Sequence, residues 1–269
     1  MTSIIICFYE RLTHLKNCLE SLRFSRNNFD EVVISDDGSS EKTIKALHTL
    51  ITNYDFPVRH VWQEKKGFRV ASARNNGIRN AKGDYLIFFD CDFLILPGTV
   101  GEHLKRAQKK RFVAGNCKYL TEQETATIFH DGITIDTLEE LYQKLPDENL
   151  LREQKKFSRR TWLMRLHLLS PRKQSLGGHF SIHREDLEYI NGYDENFVGW
   201  GGEDEDLGIR LVKAGIYCSP AIPFAKVLHM WHPKELGDKS WHSGSNMEYL
   251  THKGKSYVCI NGLRKIEKI

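Results

Sequence analysis

The run Gly83-Asp-Tyr-Leu-Ile-Phe-Phe-Asp-Cys-Asp-Phe93 closes an apolar stretch with two carboxylates, Asp90 and Asp92, one residue apart. Side chains alternate faces along a strand, so this spacing points both carboxylates one way and Cys91 the other. Two like charges that close repel unless a cation, a proton or a donor stands between them, and a hard divalent metal answers that need. The spacing recurs at Asp204 and Asp206, so the pair acquires meaning only from its surroundings. Among these is Ala225-Lys-Val-Leu-His-Met-Trp-His-Pro233, which reads as a strand presenting His229 and His232. Imidazole beside carboxylates suits a transition-type ion such as Mn2+ better than an all-oxygen site would.

A second group of chemistry-bearing residues lies in Gly192 to Leu207. Glycines at 199, 201 and 202 let a ligand approach the backbone, and Trp200 offers an aromatic face. Glu203 to Asp206 place acids in the first turn of a helix continuing through Leu207, Leu211 and Val212, where the helix dipole favours them ionised. Arg69, Arg74 and Asn75 open another helix, and arginine is the expected counterweight to a diphosphate.

Strands and helices must carry these residues to one place. Ser3–Phe8 reads as a buried strand, followed by Leu12, Leu15, Leu19 and Leu22 at helical spacing. Glu31–Ser35 is a second strand, ending in Asp36-Asp37-Gly38-Ser39-Ser40, a polar turn able to cap the helix carrying Ile44, Leu47 and Ile51. Val58–Gln63 is a third strand, Val70–Asn80 a helix, and the run to Asp90 a fourth strand. Apolar strands alternating with helices predict an α/β fold with a mainly parallel sheet covered on both faces. In such sheets ligands bind beyond the carboxyl ends of the strands, where Asp36-Asp37 and Asp90/Asp92 both fall. From Tyr119 to Gln174 the patterning weakens. Residues 152–173 are rich in Lys and Arg, with Glu153 the single acid and Trp162, Leu163, Leu166 and Leu169 interleaved. That stretch reads either as a solvated lid or as a basic amphipathic helix on anionic lipid or an anionic acceptor.

With 269 residues and 40% hydrophobic content, one large α/β domain is expected. A net charge of +4 is too mild to imply nucleic-acid binding. The six cysteines are scattered without metal or disulfide spacing and read as reduced thiols of a cytosolic protein. The N-terminal apolar run meets Glu10-Arg11 too soon for a signal-peptide core. No apolar run approaches the roughly 20 residues that span a bilayer, so the expectation is a soluble chain or one peripheral at the inner face of the membrane.

Asp36-Asp37-Gly38-Ser39, Gly67-Phe68-Arg69 to Ala73-Arg74-Asn75-x-Gly77, Asp90-Cys91-Asp92 and Trp200-Gly-Gly-Glu-Asp204 stand in the order seen in inverting glycosyltransferases of the GT-A (Rossmann-like) fold. The chain resembles glycosyltransferase family 2, with a C-terminal half like the galactosyltransferase type, and above all the transferase domains of bacterial chondroitin and hyaluronan polymerases. The resemblance covers residues 3–116 and 176–233. It implies a nucleotide-sugar half (1–116), a variable basic segment (117–175) and an acceptor half with a tail (176–269). It also implies a UDP-linked donor, a carbohydrate or glycolipid acceptor, and Mn2+ or alternatively Mg2+. Asp36 or Asp37 would read the base, with Arg69 and Arg74 near the nucleotide. Asp90 would contact the ribose or metal, Asp92 would ligate the metal, and His229 would complete the ligand set, with His232 as its alternative. Trp200, Gly201, Gly202 and Glu203 would form the acceptor wall, and Asp204 would be the base. The first strand departs from the pattern, reading Cys7-Phe8-Tyr9-Glu10 where many relatives have Pro-Thr-Tyr-Asn. Two rival functions are a sugar-phosphate nucleotidyltransferase, which would carry a Gly-rich basic loop after the first strand that this chain lacks, and a non-catalytic carbohydrate-binding module.

Overall fold

In the computed structural model, residues 1–169, 176, 178–233, 245–252, 254 and 256–267 are described. Thr2–Phe8 forms β1, and Ile4, Ile5 and Ile6 are each fully buried, so both faces of the strand are covered. The helix α1 (Leu12–Leu22) buries Leu15, Cys18, Leu19 and Leu22 along one stripe, and a 3-10 turn (Arg23–Asn28) leads to β2 (Glu31–Asp36). Ser40 caps α2 (Glu41–Ile51) by accepting the Thr43 amide at 3.4 Å. Then come β3 (Val58–Trp62), α3 (Val70–Asn80) and β4 (Tyr85–Asp90).

Beyond β4 run β5 (Phe93–Ile95), α4 (Thr99–Lys105), β6 (Arg111–Tyr119), α5 (Glu122–Asp131), α6 (Ile135–Lys144), α7 (Glu148–Arg165) and β7 (His179–His183). They are followed by α8 (Arg184–Tyr189), α9 (Glu203–Lys213), β8 (Tyr217–Pro220), β9 (Lys226–His229) and α10 (Ser245–His252). The sheet order is β3-β2-β1-β4-β7-β6-β9-β5, with β8 also pairing β6. Pairing is parallel across β3-β2-β1-β4 and between β6 and both β8 and β9. It is antiparallel where β7 joins β4 to β6 and where β5 meets β9. Ile4 and Ile6 pack with α1 on one face, while Ile5, Val33 and Phe88 pack with α3 and α9 on the other. This is the two-sided burial that the unbroken apolar strands predicted.

Three expectations change. Residues 119–169 are not weakly structured: α5 and α6 each open with a capping box, Thr121 with Glu124 and Thr134 with Thr137. These helices bury few residues apiece, Ile128, Leu138 and Tyr142, in a third cluster with Leu94 and Leu228, so their apolar periodicity is faint. The basic stretch is helical through Arg165, and its end, residues 170–173, lies outside the described residues. Next, β4 stops at Asp90 and Cys91-Asp92 form a turn, so strand alternation does not set the directions of Asp90 and Asp92. Finally, β9 ends at His229, leaving His232 on the segment beyond it. Among the described residues, no helix is long and apolar enough to cross a membrane.

Candidate active site

The chain passes from β1 outward through β2 to β3, then returns to place β4 on the other side of β1. Cys7 lies opposite Asp90 and Phe8 opposite Asp36 at this reversal, so both acidic clusters sit at its carboxyl edge.

The turn after β4 brings Asp92 to the edge, and the antiparallel β5–β9 pair sets Phe93 opposite His229. The side chain of Asp92 is 8% exposed. Its Oδ2 lies 3.3 Å from His232 Nε2 and accepts from Arg11 Nη1 at 3.1 Å, while His229 Nε2 stands 3.8 Å from Oδ1. Oδ1 is buried without a hydrogen-bond partner. One ligand atom each from Asp92, His229 and His232 lies within 4.8 Å of the others. Burial alone would raise the Asp92 carboxyl, but the His232 hydrogen bond, His229 and Arg11 hold it below its ordinary value. Burial pushes His229 down, whereas the bond to Asp92 raises His232. A carboxylate with one orphaned oxygen, flanked by an imidazole on each oxygen, fits a divalent ion of the manganese or zinc type. Of the residues expected to bind metal, Asp92 and His229 come together and are joined by His232. Asp90 turns elsewhere.

Asp90 belongs to a second cluster organised by Arg74 on α3. The guanidinium reaches Asp204 Oδ1 at 2.7 Å, Glu203 Oε1 at 3.3 Å and Asp90 Oδ1 at 3.4 Å, and lies over the Tyr193 ring at 5.3 Å. The Tyr193 hydroxyl donates to the same Asp204 oxygen at 3.1 Å. Glu203 and Asp204 open α9, whose N-cap, Gly202, has φ +94°, a left-handed conformation that favours glycine. Burial, reinforced by the Asp204 charge against Arg74, pushes Glu203 up to about 7. The Asp90 carboxyl, although its side chain is 39% exposed, is pushed up to about 6 by desolvation in spite of Arg74. Asp206 is spent in a buried bridge to Arg210 at 2.7 Å, whereas the Asp204 side chain remains 39% exposed. Beside them Trp200 is 51% exposed, and Gly201 O accepts from Asn246 Nδ2 at 2.7 Å.

Removing Arg74 should leave three carboxylates facing one another. Arg74→Met is expected to cost about 3–5 kcal/mol of stability at pH 8, because a buried ion pair is broken on one side. A carboxyl whose folded pKa lies above its unfolded value binds more protons when folded, so stability falls as pH rises through that range. The loss should therefore shrink at pH 5.5, where Glu203 is protonated. Denaturant melts at both pH values check this; an equal loss at each would show that packing, not charge, is what Arg74 supplies.

The second strand end divides its two acids. Asp36 is fully buried, with Oδ1 accepting from the Ser39 amide at 2.8 Å and hydroxyl at 2.7 Å and Oδ2 facing His60 Nε2 at 3.0 Å. It builds the turn. Gly38, at φ +90°, belongs to the same turn, since a Cβ there would meet the Lys65 backbone at 2.7 Å. Asp37 accepts from Gln63 Nε2 at 2.7 Å and from the Arg69 amide at 2.8 Å, tying β2 to the start of α3. The Arg69 side chain bonds the Glu64 carbonyl, and its Nε is buried without a partner. Arg69 and Arg74, given one role by sequence, thus serve different clusters. Sequence reasoning missed Glu10, Arg11 and Tyr193. Glu10 Oε1 accepts the Ser40 amide and Oε2 the Thr43 hydroxyl, both at 2.5 Å. Its departure from the usual motif was the available signal. Arg11 meets Asp92 across 81 positions and carried none.

A family model for glycosyl transferase family 2 matches residues 3–171, and one for the N-terminal domain of galactosyltransferase matches residues 160–233. The chain is 30% identical over 227 residues to validoxylamine A glucosyltransferase of Streptomyces hygroscopicus subsp. jinggangensis, covering 80% of this chain and 52% of that protein. It is 26% identical over 259 residues to chondroitin synthase of Escherichia coli, covering 91% of this chain and 37% of that protein. The chain thus spans about half or less of the length of these relatives. A mannosyltransferase from Pyrobaculum calidifontis, solved in complex with GDP-Man and Mn2+, matches with a TM-score of 0.61 at 17% identity, covering 95% of this chain and 65% of that one. The α/β sheet flanked by helices is the GT-A fold that the ordered motifs implied.

Proposed function

Because the chain belongs to glycosyl transferase family 2, we propose that it moves a sugar from a nucleotide-diphosphate donor, UDP-linked, to a hydroxyl of a carbohydrate acceptor, inverting the anomeric carbon. The observation that carries this reading is the Arg74 bridge. It holds Asp204 at 2.7 Å and Asp90 at 3.4 Å, and Asp90 is two residues from the cluster of Asp92, His229 and His232. The group of residues able to hold a cation and a partly exposed carboxylate therefore lie near each other at the sheet's point of reversal, which supports this reading.

A divalent ion held by Asp92, His229 and His232 would neutralise the diphosphate as it departs. The other steps fall to the chain's own side chains. Asp37, the less buried of the two acids at the β2 end, faces the donor base, while Asp36 holds the turn that positions it. Trp200 stacks on a sugar face, with Gly201 and Gly202 leaving room for the acceptor. Arg74 and the Tyr193 hydroxyl both bond Asp204 Oδ1 and so orient the carboxylate whose other oxygen takes the acceptor proton as the new bond forms. One such site adds one sugar.

Product analysis tests the proposal. With a panel of UDP- and GDP-linked sugars, Mn2+ and carbohydrate acceptors, the expected product is an acceptor heavier by one sugar, with an inverted anomeric linkage by NMR. Pyrophosphate formation would identify a nucleotidyltransferase, nucleotide-sugar binding without turnover a binding module, and a retained configuration a different mechanism.

A further inference from the structure

The outer face of α7 has no part in the cleft chemistry. Phe157, Thr161 and Met164 turn inward, and the Thr161 hydroxyl donates to Cys218 O at 3.0 Å. Gln154 Nε2 donates to Pro220 O at 3.0 Å, fixing the helix along β8. On the opposite side Arg152, Lys155, Lys156 and Arg159 are exposed, and among the described residues none of the four has an ion-pair partner. Glu153, the one acid in this part of the helix, turns inward and accepts from Asn116 Nδ2 at 2.7 Å. The same outer face carries large apolar groups: Trp162 is 59% exposed, Leu166 50% and, in the turn after the helix, Leu168 67%.

We propose that this face of α7 docks the protein on a bilayer bearing anionic headgroups. A merely solvated basic helix has no need of an exposed indole and two leucines among its charges. An interfacial helix does: indole and leucine enter the headgroup boundary while Lys and Arg stems extend to the phosphates. The apolar end of this face, around Trp162 and Leu166, also lies well away from the cleft where the sugar would be received. Thr161 bonds Cys218, which pairs with Phe112, whereas His229 of the metal cluster pairs with Tyr119. Those seven residues of β6 separate the two regions by about 23 Å at roughly 3.3 Å per residue.

The test is co-sedimentation of the full chain with phosphatidylcholine vesicles, with and without phosphatidylglycerol, at low and high salt. Each basic group near an anionic surface strengthens partitioning about five-fold. Binding is therefore expected only to the phosphatidylglycerol vesicles and only at low salt. The exposed double variant Lys155→Glu/Arg159→Glu should partition at least about 100-fold more weakly on the same scale. Trp162→Ser should weaken binding at unchanged charge. Both variants should keep the wild-type melting temperature and nucleotide release, because neither touches the cleft. The proposal is overturned by absence of vesicle binding at low salt, by equal binding to both vesicle types, or by a double variant that binds like wild type. It is equally overturned if a soluble anionic glycan is held through these residues while vesicles are not.

Discussion

Asp204→Asn is expected to lower the rate of sugar transfer by about 10²- to 10⁴-fold, the usual cost of losing a positioned general base. The substitution keeps shape and removes basicity. The asparagine carbonyl can still accept from Arg74 and Tyr193, which meet Asp204 Oδ1 at 2.7 and 3.1 Å, so the first turn of α9 should keep its geometry. UDP and Mn2+ affinities should stay near wild type, since Asp204 is not among the three residues positioned to hold a metal. An acid at a helix start also serves as a cap, and if that were its whole role the variant would lose about 1 kcal/mol of stability and turn over normally. Turnover, donor affinity and melting temperature in this one variant separate the two roles. Normal turnover would falsify the base assignment whatever happened to stability.

Asp92→Ala is expected to abolish metal-dependent donor binding. Asp92 is the residue that both histidines face, and its buried Oδ1 lacks any other partner. Without it, two imidazoles and a diphosphate have no carboxylate through which to share a cation. His229→Ala and His232→Ala should each weaken Mn2+ binding, because each supplies one atom of the cluster. Asp90→Ala should leave Mn2+ affinity in the absence of nucleotide close to wild type, since the Asp90 carboxyl is turned to Arg74. Calorimetric titration of Mn2+ alone reads the His229, His232 and Asp90 variants, and titration of UDP with and without Mn2+ reads Asp92→Ala. An Asp92→Ala chain that binds UDP as tightly as wild type, and equally responsive to Mn2+, would move the metal site elsewhere.

What was legible in the sequence follows from how local each signal is. Strands β1, β2 and β4 announce themselves because burial on both faces leaves continuous apolar runs such as Ile4-Ile5-Ile6 and Leu86-Ile87-Phe88-Phe89. The α5–α7 region was obscured because each helix there contributes only a few residues to the core, and the capping pairs Thr121/Glu124 and Thr134/Thr137 carried more information than periodicity did. Asp92 and His229 stand out as residue types at a strand end and near another. Whether His229 or His232 completes the cluster depended on where β9 ends and how the following segment turns back, and both imidazoles face Asp92. The partition of Arg69 and Arg74 was hidden for a related reason. Arg74 finds its partners at Glu203 and Asp204, about 130 positions later, a pairing that only the folded sheet brings about.

Sugar transfer in this cleft is proposed to require a cation held at Asp92, His229 and His232. That requirement is tested by nucleotide release from a UDP-linked sugar by the wild-type chain as the metal is removed and restored. Release that stops on chelation, returns with Mn2+ and is absent in Asp92→Ala is the predicted result. Release indifferent to chelation, or unchanged in Asp92→Ala, would contradict it.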